Sequence, residues 1–296
     1  MSRAVIRDLG YQPYESTRST RSRTWVIAWT GLRGAFKSRW TKWLGIVALI
    51  ATGGFGVAIY LAMKIQDFTG GMGVSVPPEV ARSLFRADGF LGAAVVFNAG
   101  FLGFFIALLS GCPALADDLK GGGLHFHFTR PVKPVDYIAG KILPTTLLTL
   151  FLGLLPALAL GLMRLSLSPP WEPLSAPLSS LAKAVAMAVV CAVSISVVAV
   201  ALGSLTARRG VARILWALLY WIPPGIGAAL ANVTGNNRFY LVSLSGAQES
   251  LSTKFFGGEH PSGQYWALGL IALAIYVAAG LLLIYWTVRR KEKTSL

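Results

Sequence analysis

Charge is what this chain has least of. Asp, Glu, Lys and Arg make up 13% of its 296 residues, about half the share found in a soluble domain. Six long runs contain none of them, between Lys42 and Lys64, Asp88 and Asp117, Lys141 and Arg164, Lys183 and Arg208, Arg213 and Arg238, and Glu259 and Arg289. Cysteine is scarce as well. Cys112 and Cys191 both fall inside those runs, which argues against an extracytoplasmic disulfide framework and fits small buried apolar residues.

Catalytic patterns are missing too. No G-x-x-x-x-G-K-[ST] occurs; Ala139-Gly140-Lys141 is followed by Ile142 and lacks the upstream glycine, so the chain cannot cradle nucleotide phosphates by that device. There is no H-E-x-x-H, no zinc-spaced cysteine pair and no G-x-S-x-G nucleophile elbow. His125 and His127 lie two residues apart with only aspartates as further ligands, so they read as loop contacts, and His260 is solitary. No acid or base stands in the middle of a run, where proton-driven carriers keep one. The expectation is a chain that is not an enzyme, holds no metal or cofactor, and draws the energy for any transport from elsewhere.

What is present is apolar: 54% of residues are hydrophobic and the mean hydropathy is +0.61. The 32 glycines and 15 prolines do not argue for disorder, because transmembrane helices tolerate both. A bilayer core of about 30 Å needs about 20 helical residues. The fold class is therefore an all-α integral membrane protein. Its domain 44–288 holds six helices near 44–63, 89–116, 138–163, 181–205, 213–231 and 265–288. Tyr265-Trp266 and Tyr285-Trp286 are spaced like two aromatic belts. Gly53-Gly54 and Gly56 allow close helix approach. Pro144 and Pro156 make bends plausible, and Pro223-Pro224 predicts a break or kink. Asn98, near mid-depth, either lines a pathway or bonds a neighbouring helix.

Orientation follows from the bases. With a cytoplasmic N-terminus, segments 1–43, 117–141, 206–213 and 289–296 face inward and hold 20 of the 27 Lys and Arg, while the acids divide six and six. Such asymmetry places both termini in the cytoplasm. The net charge of +15 then reflects topology and attraction to anionic lipid, with no nucleic-acid partner. Residues 1–24 and 289–296 form cytoplasmic tails. The first tail lacks the apolar core of a cleaved signal.

Two amphipathic stretches stand outside the spans. In 25–43, Trp25, Trp29, Leu32, Phe36, Trp40 and Trp43 recur at steps of three or four, flanked by Arg33, Lys37, Arg39 and Lys42. This pattern predicts a helix lying in the headgroup plane, rings toward the lipid. In 232–264, Phe239, Val242, Leu244, Ala247, Leu251 and Phe255 lie roughly on one face, predicting a short helix at the outer surface.

Between the second and third spans lies a polar interlude, Ala116 to Lys141. It carries Asp117-Asp118, Gly121 to Gly123, Leu124, Pro131-Val132, Tyr137 and Gly140-Lys141. This stretch resembles the signature of permease subunits of ABC transporters of the type-2 exporter class. There an acid closes the second span, and a Gly-Leu pair, a short coupling helix, a Pro-Val pair, an aromatic residue and a Gly-Lys pair follow. The in-plane N-terminal helix, the six spans and the outer helix fit the same layout. One departure is that His125 to Phe128 stand where the family's short helix usually carries Glu and Leu.

The resemblance implies two permeases, a second copy or a homologue, above two ABC ATPase subunits that hold ATP and Mg. Their contact would fall on Asp118, Leu124, His125, Phe126, His127, Phe128, Arg130 and Pro131, with a lesser one at Arg208 and Arg209. A membrane scaffold or assembly factor without cargo is the alternative reading.

Overall fold

A computed structural model describes residues 23–71, 87–121, 133–168, 172–258 and 260–295. Among the described residues the backbone is almost entirely helical, with no strand. The helices are α1 (Arg23–Lys37), α2 (Arg39–Gly71), α3 (Ala87–Gly121), α4 (Pro134–Ser166), α5 (Ser175–Ser204), α6 (Arg209–Thr234), α7 (Leu244–Phe256) and α8 (Trp266–Ser295). All except α1 and α7 are long and apolar enough to cross a bilayer, making this a multi-pass, all-helical membrane-type architecture.

The bundle is built around α5. From Ser194 to Ala201 every residue is buried, as expected of a helix apolar on all sides. α3, α4 and α8 pack around it. Close approach depends on small residues: a side chain at Gly203 would run into the carbonyl of Cys112 on α3. The Gly53-Gly54 pair, expected to make such a contact, faces open space, and a Cβ added at Gly56 would meet Leu160 and Met163 at ordinary van der Waals distance.

The stretch 25–43 is not one helix. It divides at Ser38, whose amide donates to the Ala35 carbonyl at 3.1 Å while its own carbonyl accepts from Lys42 at 3.4 Å; serine favours such caps over helix interiors. Trp40 and Trp43 therefore belong to α2. Against α4, α1 turns Thr24 and Ile27. Gly140 permits this, since a Cβ there would sit 2.8 Å from Ile27 Cβ. Trp25, Trp29 and Phe36 remain exposed.

α6 runs unbroken through Pro223-Pro224 to Thr234, so of the expected break or kink the break does not occur. Ala212, Trp216 and Tyr220 before the prolines, and Gly227 and Ala231 after them, are buried, so both halves are packed against the bundle. Gly235, at φ 68°, ends the helix.

The short helix expected within 232–264 is α7, and one side of it packs into the bundle. In α7 the buried side chains are Leu244, Ala247, Gln248, Ser250, Leu251 and Phe256, while Val242, just before it, is exposed. Gln248 Nε2 donates to Ser194 Oγ at 2.9 Å, in the middle third of α5. A buried amide with a buried hydroxyl partner explains why this polar residue can lie inside.

At the end of the bundle where α3 begins, Arg164 of α4 is 7% exposed. It grips Glu172 by two bonds of 2.6 and 3.0 Å and lies 3.4 Å from Asp88, too poorly aligned for a hydrogen bond. The bonds from Arg164 hold the Glu172 carboxyl below its ordinary pKa.

Candidate functional site at the junction of α3, α4 and α6

Asp117 and Asp118 close the C-terminal end of α3, where the helix dipole opposes negative charge. Cations from two other helices compensate. Lys141 Nζ lies 2.6 Å from Asp118 Oδ2, and both side chains are less than one-fifth exposed. Tyr137, fully buried, donates its hydroxyl to the same carboxylate oxygen. Tyr137 and Lys141 stand one turn apart on α4, so both reach the same face. Asp117 pairs with Arg209, the first residue of α6; this pair is more exposed and correspondingly weaker. Thr24 of α1 donates to Asp136 in the first turn of α4 at 3.3 Å.

The result is a knot joining the end of α3, the start of α4 and the start of α6. Three residues of the sequence signature, Asp118, Tyr137 and Lys141, meet in it, and Gly140 seats α1 beside it. The motif's spacing thus has a physical account independent of any resemblance. A cavity of about 530 Å³ adjoins the knot, bordered by Gly31, Ser38, Ser110, Asp118, Lys141 and Arg213.

α3 itself is irregular. Two π-helical segments, Val96–Leu102 and Ala107–Gly111, interrupt it; such wide turns often mark functional positions. α6 bonds into this region. Trp216 Nε1 donates to the Phe104 carbonyl at 3.1 Å, and Arg213 Nε to the Leu108 carbonyl at 3.1 Å. Phe104 also stacks on Trp216, with ring centres 5.7 Å apart. α3 and α6 are therefore fastened at the acidic end and again along their length.

Further along, beside the first π segment, a groove of about 590 Å³ opens. Phe55, Phe97, Phe101 and Tyr220 form its apolar wall, and Glu249 and His260 stand at its polar end. His260 Nε2 is 3.9 Å from Glu249, and its Nδ1 is 2.7 Å from Ser262 Oγ. Asn98 is fully buried and donates to the Ala94 carbonyl at 2.9 Å; it is Phe97 and Phe101 that line the groove.

Of the predicted contact residues, Asp118 and Arg209 are brought together at the knot. Arg208 is the exposed N-cap of α6. Leu124, His125, Phe126, His127, Phe128, Arg130 and Pro131 lie outside the described residues. Sequence reasoning overlooked the fastening by Arg213 and Trp216. Their three-residue spacing puts both on one face of α6, but nothing in the sequence points to α3 carbonyls as partners. Among the described residues, no group of three His, Cys, Asp or Glu side chains is placed to hold a metal. No family model matches this chain, and no curated protein is similar to it.

Proposed function

We propose that this chain is the permease subunit of an ATP-driven exporter in the bacterial inner membrane, with both termini in the cytoplasm. It is moved by separate ATPase subunits that bind ATP and Mg, and it pairs with a second permease. The observation that carries this reading is the knot. The loop between α3 and α4 and the turn between α5 and α6, the two expected ATPase contacts, emanate from helices tied together by Asp118–Lys141 and Asp117–Arg209.

In this mechanism, ATP-driven closure of the ATPases presses the segment Leu124 to Phe128. A loop rooted in a flexible linker would absorb that displacement; one rooted in the largely desolvated Asp118–Lys141 pair passes it on. The push reaches α3 and α4 together, and the bonds from Arg213 and Trp216 carry α6 with α3. The π segments are where α3 can change its turn count at low cost, so the aromatic groove beside them is the part of the bundle most exposed to the motion. That groove suits a hydrophobic cargo such as a lipid, glycolipid or other apolar compound. The tryptophans that α1 leaves exposed suit a helix resting in the headgroup layer.

Replacing Leu124, Phe126 and Phe128 with Asp is the test. The variant is expected to insert normally and to abolish cargo-stimulated ATP hydrolysis by the assembled complex in proteoliposomes. Unchanged stimulation would refute the contact, and an ATPase that binds but never responds to cargo would favour the scaffold reading.

A further inference from the structure

At the elbow between α1 and α2 lies a cleft of about 490 Å³ with two chemically distinct parts. Trp29, Leu32 and Phe36 give it an apolar floor, and Arg33, Lys37 and Lys42 surround it with positive charge. No acid borders it, and among the described residues no carboxylate pairs with these three cations. The Arg33 guanidinium lies 5.1 Å from the centre of the Trp29 ring, which holds one cation at the edge of the apolar floor. Three unpaired cations around a greasy slot repel one another unless an anion joins them.

We propose that this elbow is a stoichiometric binding site for one anionic glycerophospholipid. Its acyl chain lies over Trp29, Leu32 and Phe36, and its phosphate sits among Arg33, Lys37 and Lys42. A general attraction of basic residues to the membrane surface requires no particular residues; this site does. The chain's own N-terminal segment is a poor occupant, because residues 1–22 carry four arginines against Asp8 and Glu15. A zwitterionic lipid fills the slot but leaves the three cations without a net counter-charge. Bound lipid would brace the turn at Ser38, and with it the angle between α1 and the first span. The inference rests on the six spanning helices and is independent of ATP-driven transport.

Native mass spectrometry of the intact chain in detergent tests it, with phosphatidylglycerol and phosphatidylcholine of matched acyl chains as probes. One phosphatidylglycerol per chain is expected to survive activation that strips phosphatidylcholine, and its retention should fall as salt rises. Exchanging Arg33, Lys37 and Lys42 for Gln should weaken phosphatidylglycerol binding on the order of 100-fold, about fivefold for each cation removed. The pair Arg238→Gln and Lys254→Gln, elsewhere on the surface, should leave binding intact. Equal retention of the two lipids, salt-independent retention, a triple variant that binds like the parent, or a control pair that loses binding equally would each overturn the proposal. So would recovery of an acidic protein segment in the lipid's place. No ATPase enters this measurement, so it fails or succeeds separately from the transport reading.

Discussion

Asp118→Leu is expected to lower the stability of the detergent-solubilised protein by about 2–4 kcal/mol and, on the proposed transport reading, to uncouple it from the ATPase that the reading requires. Removing one member of a buried ion pair costs about 3–5 kcal/mol, because the other is left without compensation. The Asp118 and Lys141 side chains are 18% and 19% exposed, so water recovers part of that. Tyr137, fully buried, also loses the acceptor of its hydroxyl. Thermal unfolding followed by size-exclusion chromatography reads the stability. Asp118→Asn, which keeps an acceptor for Tyr137 but loses the charge, should fall between variant and parent. Adding Lys141→Met to Asp118→Leu removes the stranded cation and should restore most of the stability, yet not the coupling. If the double variant stays as unstable as the single one, the pair is not what holds the junction.

The second large effect concerns a glycine with no space around it. Gly203→Leu is expected to abolish recovery of folded protein, and Gly203→Ala to cost about 1–3 kcal/mol through overpacking. The obstacle at Gly203 is the backbone of Cys112 on α3, which cannot yield as a flexible side chain can. Gly54→Leu is the comparison, since Gly54 has nothing within 4 Å of an added Cβ, and its expected effect is near zero. Fluorescence-detected size exclusion of tagged variants checks both. Equal recovery of Gly203→Leu and Gly54→Leu would contradict the packing of α3 against α5.

These two glycines show where sequence reading reaches its limit. Both stand in apolar runs, and Gly54 belongs to the more conspicuous cluster, yet only Gly203 meets a neighbouring backbone. Contact between helices is a tertiary fact that composition along one helix does not carry. The six spans were legible because a charge-free run of sufficient length has few alternatives in a bilayer. Asp118, Tyr137 and Lys141 were legible as a pattern, but not their convergence on one carboxylate.

The turn at Ser38 was obscured by a stripe of aromatic residues whose period continues across it. The burial of α7 was obscured because Gln248 reads as polar until its partner Ser194 is known. The π segments of α3 left no mark at all. A π turn differs from an α turn by one residue, and here bonds from Trp216 and Arg213 of α6 reach carbonyls in and between those segments.

The central claim is that an ATPase grips the loop between α3 and α4 from the cytoplasm. A photo-reactive amino acid placed at position 126, in a chain co-expressed with the ATPase proposed to drive it, tests this directly. The account predicts a covalent adduct between the two subunits, and none from position 233, where Val233 is 85% exposed at the other end of α6. A chain that cross-links to no nucleotide-hydrolysing protein from position 126, or whose position 126 is labelled by a reagent confined to the periplasm, would contradict it.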